Sequence, residues 1–566
     1  MHIQFQHANP HSGRESLILR FDGLLADQTV CVLVDAGADV DTTTLLNEDA
    51  GEYLTAICLT HAHLDHYQSL GTNLSHGPPI YTGDGTARIL EDVLETGREH
   101  HGFTQTEEVL NRLELITSWT QIAPGLRVHP VPAGHTPGAT GFLFEVTDDD
   151  VRRTILVTGD FTTRRAAGYP GFNLDLPVEV DTLVLTAATN DEFEPTLTDA
   201  IGTILERTRA GSTVLTTASG LTGVQTAYLL GHLTDQWDDP LPITLVGHAA
   251  KLYESLEYTV PNATTSPEFS SPTDVLTAGS VTIAGPEVPV GGSSKRLFDS
   301  IRDDPGATLV QLTSGPSDPL SSATCTTHHF PLSNHPTTDT IDAVVDAFAP
   351  IQTIITHQQG SAATQYKDKY DSFVWATDDT DCYTLLDDAG WTPPPWVTEQ
   401  TTRQVRATAT TNGSLLTNGS AEFEYSLPIT TRCNDVDLAA EGLDLEQLRT
   451  QIPSRPGPRL SNGAPETKAD ETPPMPAETS SESRSPEDTE TAETQTVEQS
   501  LAAIDERLGR IESAVTSREL TAHVVDAGDG TILLRLDDPS VDLEHGQELR
   551  VRLSSRDLDT DAATDQ

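Results

Sequence analysis

An apolar run, YLTAICLT (53–60), stops at HAHLDH, so that His61, His63, Asp65 and His66 fall within six positions. Histidine makes up 19 of 566 residues, so this clustering is far denser than the chain average. The plain reading is a polar loop with surface histidines. Yet neutral imidazoles and carboxylates are good ligands for zinc and similar divalent ions. In a loop leaving a strand, His61 and His63 can point one way while Asp65 and His66 point another. Such a segment can serve two cations, each completed by ligands from elsewhere in the chain.

The missing ligands are expected at the tips of other strands. LRVHPVPAGHTPG (126–138) carries His135 after an apolar run, TILVTGD (154–160) ends in Asp160, and IQTIITHQQG (351–360) carries His357. TVCVLVDAG (29–37) ends in Asp35 and a glycine. Apolar runs of this length, closed by Gly, Asp or His, read as buried strands whose tips carry chemistry. Helical stretches such as ARILEDVLETGREH lie between them, so the fold class is α/β with a metal-rich edge. Any one of these residues alone is unremarkable; together, in this order, they form a ligand set.

The chain divides by pattern. Residues 1–190 form the first part of the metal-bearing domain. Residues 191–325 read as a second αβ unit, with STVLTTASG, PITLVGHA and SVTIAGPEVPVGGSSKRLFDSIRDD as strand–helix pairs. Residues 326–395 return to the first unit through the amphipathic TIDAVVDAFAP and the strand before His357. Residues 396–452 are a Thr-rich extension with moderate strand signal. Residues 453–497, rich in Pro, Ser, Thr and Glu, read as a disordered acidic linker. In 498–553 a short heptad helix precedes a small β module. Val497, Leu501, Ile504, Leu508, Ile511 and Val515 alternate spacings of four and three. That seam suits either a helix packed on its own module or a coiled coil joining copies or a related subunit.

Composition enters through charge. Lys plus Arg number 33 and Asp plus Glu 86, for a formal net charge of −53. A disordered acidic protein is one reading. The regular strands of the first 395 residues favour the other, a folded protein adapted to molar salt. At about 1 M salt the screening length is roughly 3 Å, which removes most self-repulsion. The composition resembles that of halophilic archaeal proteins, and acidity therefore does not exclude a nucleic-acid partner. Five scattered cysteines with no C-x-x-C pair suit a reducing cytoplasm. No signal pattern and no apolar run near ~18 residues is found, so a cytoplasmic location without membrane spans is expected.

The opening motif, G-H-T-P-G around His135 and the G-D at Asp160 resemble the metallo-β-lactamase superfamily over about residues 1–190 and 326–390. The resemblance implies an αββα sandwich holding two divalent metal ions, zinc most readily and manganese as the alternative. One ion would take His61, His63 and His135. The other would take Asp65, His66 and His357, with Asp160 bridging and Asp35 supporting the loop from behind. Two such ions suit hydrolysis, with Asp65 orienting the attacking water.

The segment FPLSNHPTTDTIDAVVDAFAP followed by IQTIITHQQG is similar to the β-CASP branch, whose members include ribonuclease J and the cleavage and polyadenylation specificity factor nuclease. That implies an inserted αβ β-CASP domain, a C-terminal extension outside the resemblance, and a nuclease acting on single-stranded RNA by endo- or 5′→3′ exonucleolytic cuts. His335 matches the branch's proton-donating histidine. Gly291, Gly292, Ser293, Ser294, Lys295 and Arg296 resemble its Gly-Gly segment and are candidates for phosphate contact. The chain departs from the branch at Thr186, where an acid orients that histidine, at Gln358 in place of Gly, and at Thr337 in place of Asp. Two other readings stay open: an RNA-binding scaffold with little catalysis, supported by Thr186, and a hydrolase of small esters or thioesters.

Overall fold

The computed structural model describes residues 1–9, 15–148, 151–315, 323–358, 360–377, 379–413 and 427–452, and a hairpin of 522–526 with 532–536. The chain falls into two units, Met1–Leu460 and Ser461–Gln566. In the first unit, chain order alone reveals the architecture. Strands β1 (His2–His7), β2 (Leu17–Leu25), β3 (Gln28–Val34), β4 (Glu52–Cys58), β5 (Ile80–Thr82) and β6 (Leu113–Leu115) lie in one sheet. Strands β7 (Thr120–Ala123), β8 (Leu126–Pro132), β9 (Thr140–Asp148), β10 (Val151–Val157) and β11 (Thr182–Thr186) lie in a second. Strands β12 (Thr213–Thr217), β13 (Ile243–Val246), β14 (Ala263–Ser266), β15 (Val281–Ala284), β16 (Ala307–Thr313) and β17 (Thr326–Pro331) make a third. The chain then returns. β18 (Gln352–Thr356) and β19 (Phe373–Trp375) extend the second sheet, and β20 (Tyr383–Asp387) and β21 (Gly390–Trp391) extend the first.

The first two sheets pack face to face. β3 shows why: Val30, Val32 and Val34 enter the inter-sheet core with Phe142, Phe144, Val184 and Trp375. Its alternate residues, Cys31 and Leu33, pack on the outer face with Ile89 and Val93 of the helix Asp84–His101. A strand buried on both faces reads as an unbroken apolar run, as the sequence does here. The helix Thr338–Phe348 covers the outer face of the second sheet through Ile341 and Val344. Helices therefore flank both sheets. The third sheet is parallel throughout, with the helix Gly220–Gln236 and the helix Gly292–Ile301 contributing to its two cores.

Two boundaries differ from expectation. β17 pairs with β16 in the third sheet, so residues 326–331 belong to the insertion and the return begins after them. Its six residues bond to a neighbour the local sequence does not reveal. The extension 396–452 holds the helices Glu399–Gly413 and Leu445–Gln451, with no strand among its described residues. Its threonines made strand signal, but Asp444 caps the second helix at Glu446 N and Gln447 N instead. In the second unit, β22 (Ala522–Asp526) and β23 (Ile532–Leu536) pair antiparallel. The linker 453–497 and the heptads 497–515 lie outside the described residues. Among the described residues no helix is long and apolar enough to cross a membrane.

Candidate metal centre

The tips of β4, β8, β10 and β18 converge. β11 pairs in parallel with both β10 and β18, with Thr186 opposite Thr356, so the turns after these strands end at one level. After β4, the Asp35 carboxylate receives Thr60 N at 2.8 Å and Thr60 Oγ1 at 2.8 Å, and stands 2.8 Å from His66 Nδ1. Asp35 holds a left-handed backbone, φ 57°, rare outside glycine. It ties both ends of the histidine loop to β3. Between those ends the four-residue helix Leu64–Tyr67 turns His66 inward and leaves the Asp65 side chain half exposed. Gly159, at φ 58°, lets the turn after β10 lie on Thr60; a Cβ there would meet Thr60 Cγ2 at 2.8 Å.

Seven side chains gather at this edge. One atom each from His61, His63 and His135 lie within 4.8 Å of one another, and so do those of His61, His66 and Asp160. His135 Nε2 faces His63 Nδ1 at 3.1 Å. Asp160 Oδ2 stands 3.4 Å from His66 Nε2 and 3.7 Å from His135 Nε2, between the two groups. Its Oδ1 is 2.9 Å from His357 Nδ1, and Asp65 Oδ2 is 3.9 Å from His66 Nε2. His61 is fully buried, and its Nε2 makes no hydrogen bond. A buried ring nitrogen without a partner, among facing nitrogens and carboxylates, fits a cation ligand.

The electrostatics divide the histidines in two. Burial holds His61, His63 and His135 below the usual imidazole range, helped by neighbouring imidazoles, so they are neutral and ready to donate a lone pair. Burial also opposes charge on His66 and His357, but carboxylates outweigh it. Asp35, Asp160 and Asp65 lift His66 well above its usual value, and Asp160 lifts His357 to about 9. Asp160 is pushed up by burial but held far down by His357 and His66. Without a cation, protons on His66 and His357 balance the carboxylates. The clustered histidines and aspartates form a candidate dinuclear metal site of the kind metallohydrolases use.

The site floors a cleft of about 360 Å³ between the sandwich and the lobe built on the third sheet. Ser219, Thr222, Gln225 and Ser314 line the far wall, and Phe193 and Leu221 add apolar surface. No lysine or arginine lines it among the described residues. His335 is at the cleft, its ring 4.9 Å from that of His135 and its Nδ1 without a hydrogen bond; burial pushes it down to about 4. Thr186 Oγ1 turns to Thr356 Oγ1 at 3.4 Å. Asp191, a possible substitute for the missing acid, instead accepts from Thr338 N at 2.7 Å and caps a helix. Thr337 caps the same helix by accepting from Thr340 N at 3.1 Å.

The Gly-Gly segment is not brought to the cleft wall. Gly291 and Gly292 begin the helix Gly292–Ile301, and Ser294 is buried within it. Lys295 pairs with Asp299, and Arg296 binds the carbonyls of Phe269 and Ser270. Ser293 and its neighbours are absent from the cleft lining. Three residues the sequence did not single out stand beside the centre. Glu15 is buried behind the loop, bonded to Asn9, and burial lifts it to about 7. Asn334 Nδ2 donates to His135 O, and Arg164 Nη2 donates to His335 O, both at 2.7 Å. Asn334 was recoverable from its place beside His335; Arg164 and Glu15 carry no local signal.

Two face-to-face sheets with flanking helices, and a histidine–aspartate cluster at one edge, define the class: an α/β fold with a candidate two-metal hydrolase site. Residues 31–210 match the model of the beta-lactamase superfamily domain. The chain is 32% identical over 106 residues to the DNA cross-link repair protein pso2/snm1 of Schizosaccharomyces pombe, covering 19% of this chain and 17% of that protein. It is 34% identical over 110 residues to the human DNA cross-link repair 1A protein, covering 19% and 9%. Uncharacterized protein sll0514 of Synechocystis matches at 30% over 135 residues, covering 23% and 22%. The chain thus spans less than a quarter of the length of these curated relatives. A solved protein of unknown function from Enterococcus faecalis V583 aligns with a TM-score of 0.48 at 15% identity, over 68% of this chain and 99% of that one.

Proposed function

We propose that this chain is a cytoplasmic metal-dependent nuclease that hydrolyses phosphodiester bonds of single-stranded RNA. The observation that carries the reading is the convergence of His61, His63, Asp65, His66, His135, Asp160 and His357 on the floor of an interlobe cleft. Two divalent ions, zinc or manganese, supply Lewis-acid activation of water and charge stabilisation at a phosphate when bound there. Asp65 contributes an ionised carboxylate: burial raises it, but His66 and His63 outweigh that and hold it below the usual range. Half exposed to the cleft, it can accept a hydrogen bond from the attacking water and orient it. His335 can place an N–H on the departing oxygen, and a phosphate arriving beside it raises its affinity for a second proton. A cleft of about 360 Å³ lined by both lobes suits a single strand better than a duplex. With no lysine or arginine among the described lining residues, attraction for the phosphate rests on the metal centre.

A second reading, an RNA-binding scaffold with slow turnover, is favoured by one specific observation: neither Thr186 nor Asp191 orients His335, since Thr186 faces Thr356 and Asp191 caps a helix. Two of the relatives matched above are named for DNA cross-link repair, so DNA is the substrate to compare. The test is cleavage of end-labelled single-stranded RNA and DNA in molar KCl with zinc or manganese. We expect RNA to be cut, Asp65→Ala to lose at least a hundredfold, and His335→Ala to lose a further measurable rate relative to wild type. Metal uptake without cleavage of either strand would select the scaffold. Faster cutting of DNA would replace RNA as the substrate.

A further inference from the structure

The segment 427–452 is fastened across both lobes. On the sandwich, Arg165 N donates to Ala440 O and Cys433 N donates to Gly168 O, each at 2.8 Å. Glu441, fully buried, accepts Ala167 N and Gly168 N, both at 2.7 Å. On the inserted lobe, Arg432 donates to Leu256 O at 3.2 Å and Glu257 O at 3.1 Å, with its guanidinium 4.1 Å from the Tyr258 ring centre. The strap therefore grips the sandwich loop 165–168, which begins one residue after Arg164.

Arg164 is itself enclosed. Its side chain is 8% exposed and lies 4.5 Å from the Phe193 ring centre. Nη1 stands 3.4 Å from Glu194 Oε1. Nη2 donates to Asn334 Oδ1 at 3.0 Å and to His335 O at 2.7 Å. Asn334 in turn grips His135 twice, through Nδ2 to His135 O and through its own carbonyl, which faces His135 Nδ1, both at 2.7 Å. That second contact makes Nδ1 the protonated nitrogen of neutral His135 and leaves Nε2 as the lone-pair donor toward His63 and Asp160. Behind Arg164 sits Gly442 of the strap, at φ 96°, where a Cβ would stand 2.9 Å from Arg164 Cδ.

We infer that Arg164 is a positioning residue of the metal centre: clamped between Gly442 of the strap and the Asn334–His335 turn, it fixes the tautomer and ring orientation of His135. The inference rests on the two-metal reading proposed above. It makes residues 427–452 part of the site's architecture, although none of them reaches the cleft.

The test is a zinc competition titration against a chromophoric chelator, on the full chain in molar KCl. It is paired with the visible spectrum of the cobalt-substituted protein and with melting of the metal-free form. Arg164→Ala is expected to weaken the tighter zinc by roughly 10–100-fold, the range typical of groups that orient a ligand, and to alter the cobalt bands. Arg164→Lys recovers part of that loss. Gly442→Ala, made on the strap, weakens zinc in the same direction. A role confined to packing would lower the melting temperature and leave zinc affinity and cobalt bands at wild-type values, which overturns the inference. If Arg164→Ala does not fold, Arg164→Lys and Gly442→Ala decide by the same readouts. Failure of the wild type to take up zinc is a different failure: it removes the metal reading itself, and this inference with it.

Discussion

At the level of single residues, the centre balances charge with protons that a cation must displace. His357, at about 9, and His66, also raised, carry protons at neutral pH in the metal-free chain, whereas a ligand must be neutral. Apparent metal affinity should therefore rise with pH by about tenfold per unit for each proton released, and the His357 contribution should level off above about pH 9. Calorimetry in buffers of different ionisation enthalpy counts those protons; none released would contradict the assignment of His357. For the metal-free fold the sign is opposite. A histidine raised above its unfolded value of 6.5 contributes stability that is full below pH 6.5 and is lost as pH rises through about 9. Asp35→Asn keeps the shape but weakens the bond that orients His66, so metal affinity should fall roughly 10–100-fold, read by the same titration. The proposed ligands were legible because His61, His135, Asp160 and His357 follow apolar runs and His63, Asp65 and His66 crowd beside the first of them. Arg164 and Glu15 were not, because a buried cation in RRAAG and a lone glutamate after a loop have no period or motif to mark them. Arg164 bonds to Asn334, far off in sequence, and Glu15 bonds to Asn9 while lying behind the His66 loop.

At the level of elements, the site depends on turns that only certain residues allow. Gly159→Ala places a Cβ 2.8 Å from Thr60 in a left-handed backbone, so it should destabilise the fold by about 1–3 kcal/mol and loosen the turn that carries Asp160. Glu441→Ala strips two backbone N–H groups of their buried acceptor, at a cost of about 1–3 kcal/mol. Urea melts of both variants in molar KCl check these figures, and values within error of zero would show that turn and strap are dispensable. Strands β2, β3, β4, β8, β11 and β18 were readable because short apolar runs bounded by Gly, Asp or His read as buried strands by length and flanks. The strap was not. Residues 427–452 bury Leu438, Leu443 and Leu448 at a spacing that matches neither helix nor strand, and their polar anchors are carbonyls and carboxylates meeting loops that lie more than 150 residues away. The edge of the insertion was missed for a related reason: TTHHFP is only partly buried, and its pairing with β16 is set by the third sheet.

At the level of the whole molecule, a net charge of −53 sits on a chain whose described cleft lining carries no lysine or arginine. Self-repulsion is long-ranged in dilute buffer and short-ranged in brine, as the screening length falls from about 10 Å at 0.1 M salt to about 3 Å at 1 M. The melting temperature should therefore climb between 0.1 M and 1 M KCl, and an unchanged value would contradict a salt-adapted surface. The same screening governs how a polyanion reaches the cleft, so cleavage should persist at salt concentrations that release ordinary basic nucleases from their substrates. The α/β class was legible from chain order, and the strand–helix pairs after residue 190 supply the separate third sheet. How the two lobes are fastened was not, since that depends on contacts between segments that are remote in sequence.

The most direct test of the central claim is a crystal structure of the zinc-loaded full chain, with anomalous differences recorded at the zinc edge. Two anomalous peaks are expected among His61, His63, Asp65, His66, His135, Asp160 and His357, about 3.5–4 Å apart as in other two-metal hydrolytic sites, with Asp160 between them. No peak there, or a single peak with Asp160 still paired with His357 and His66, would contradict a two-metal centre.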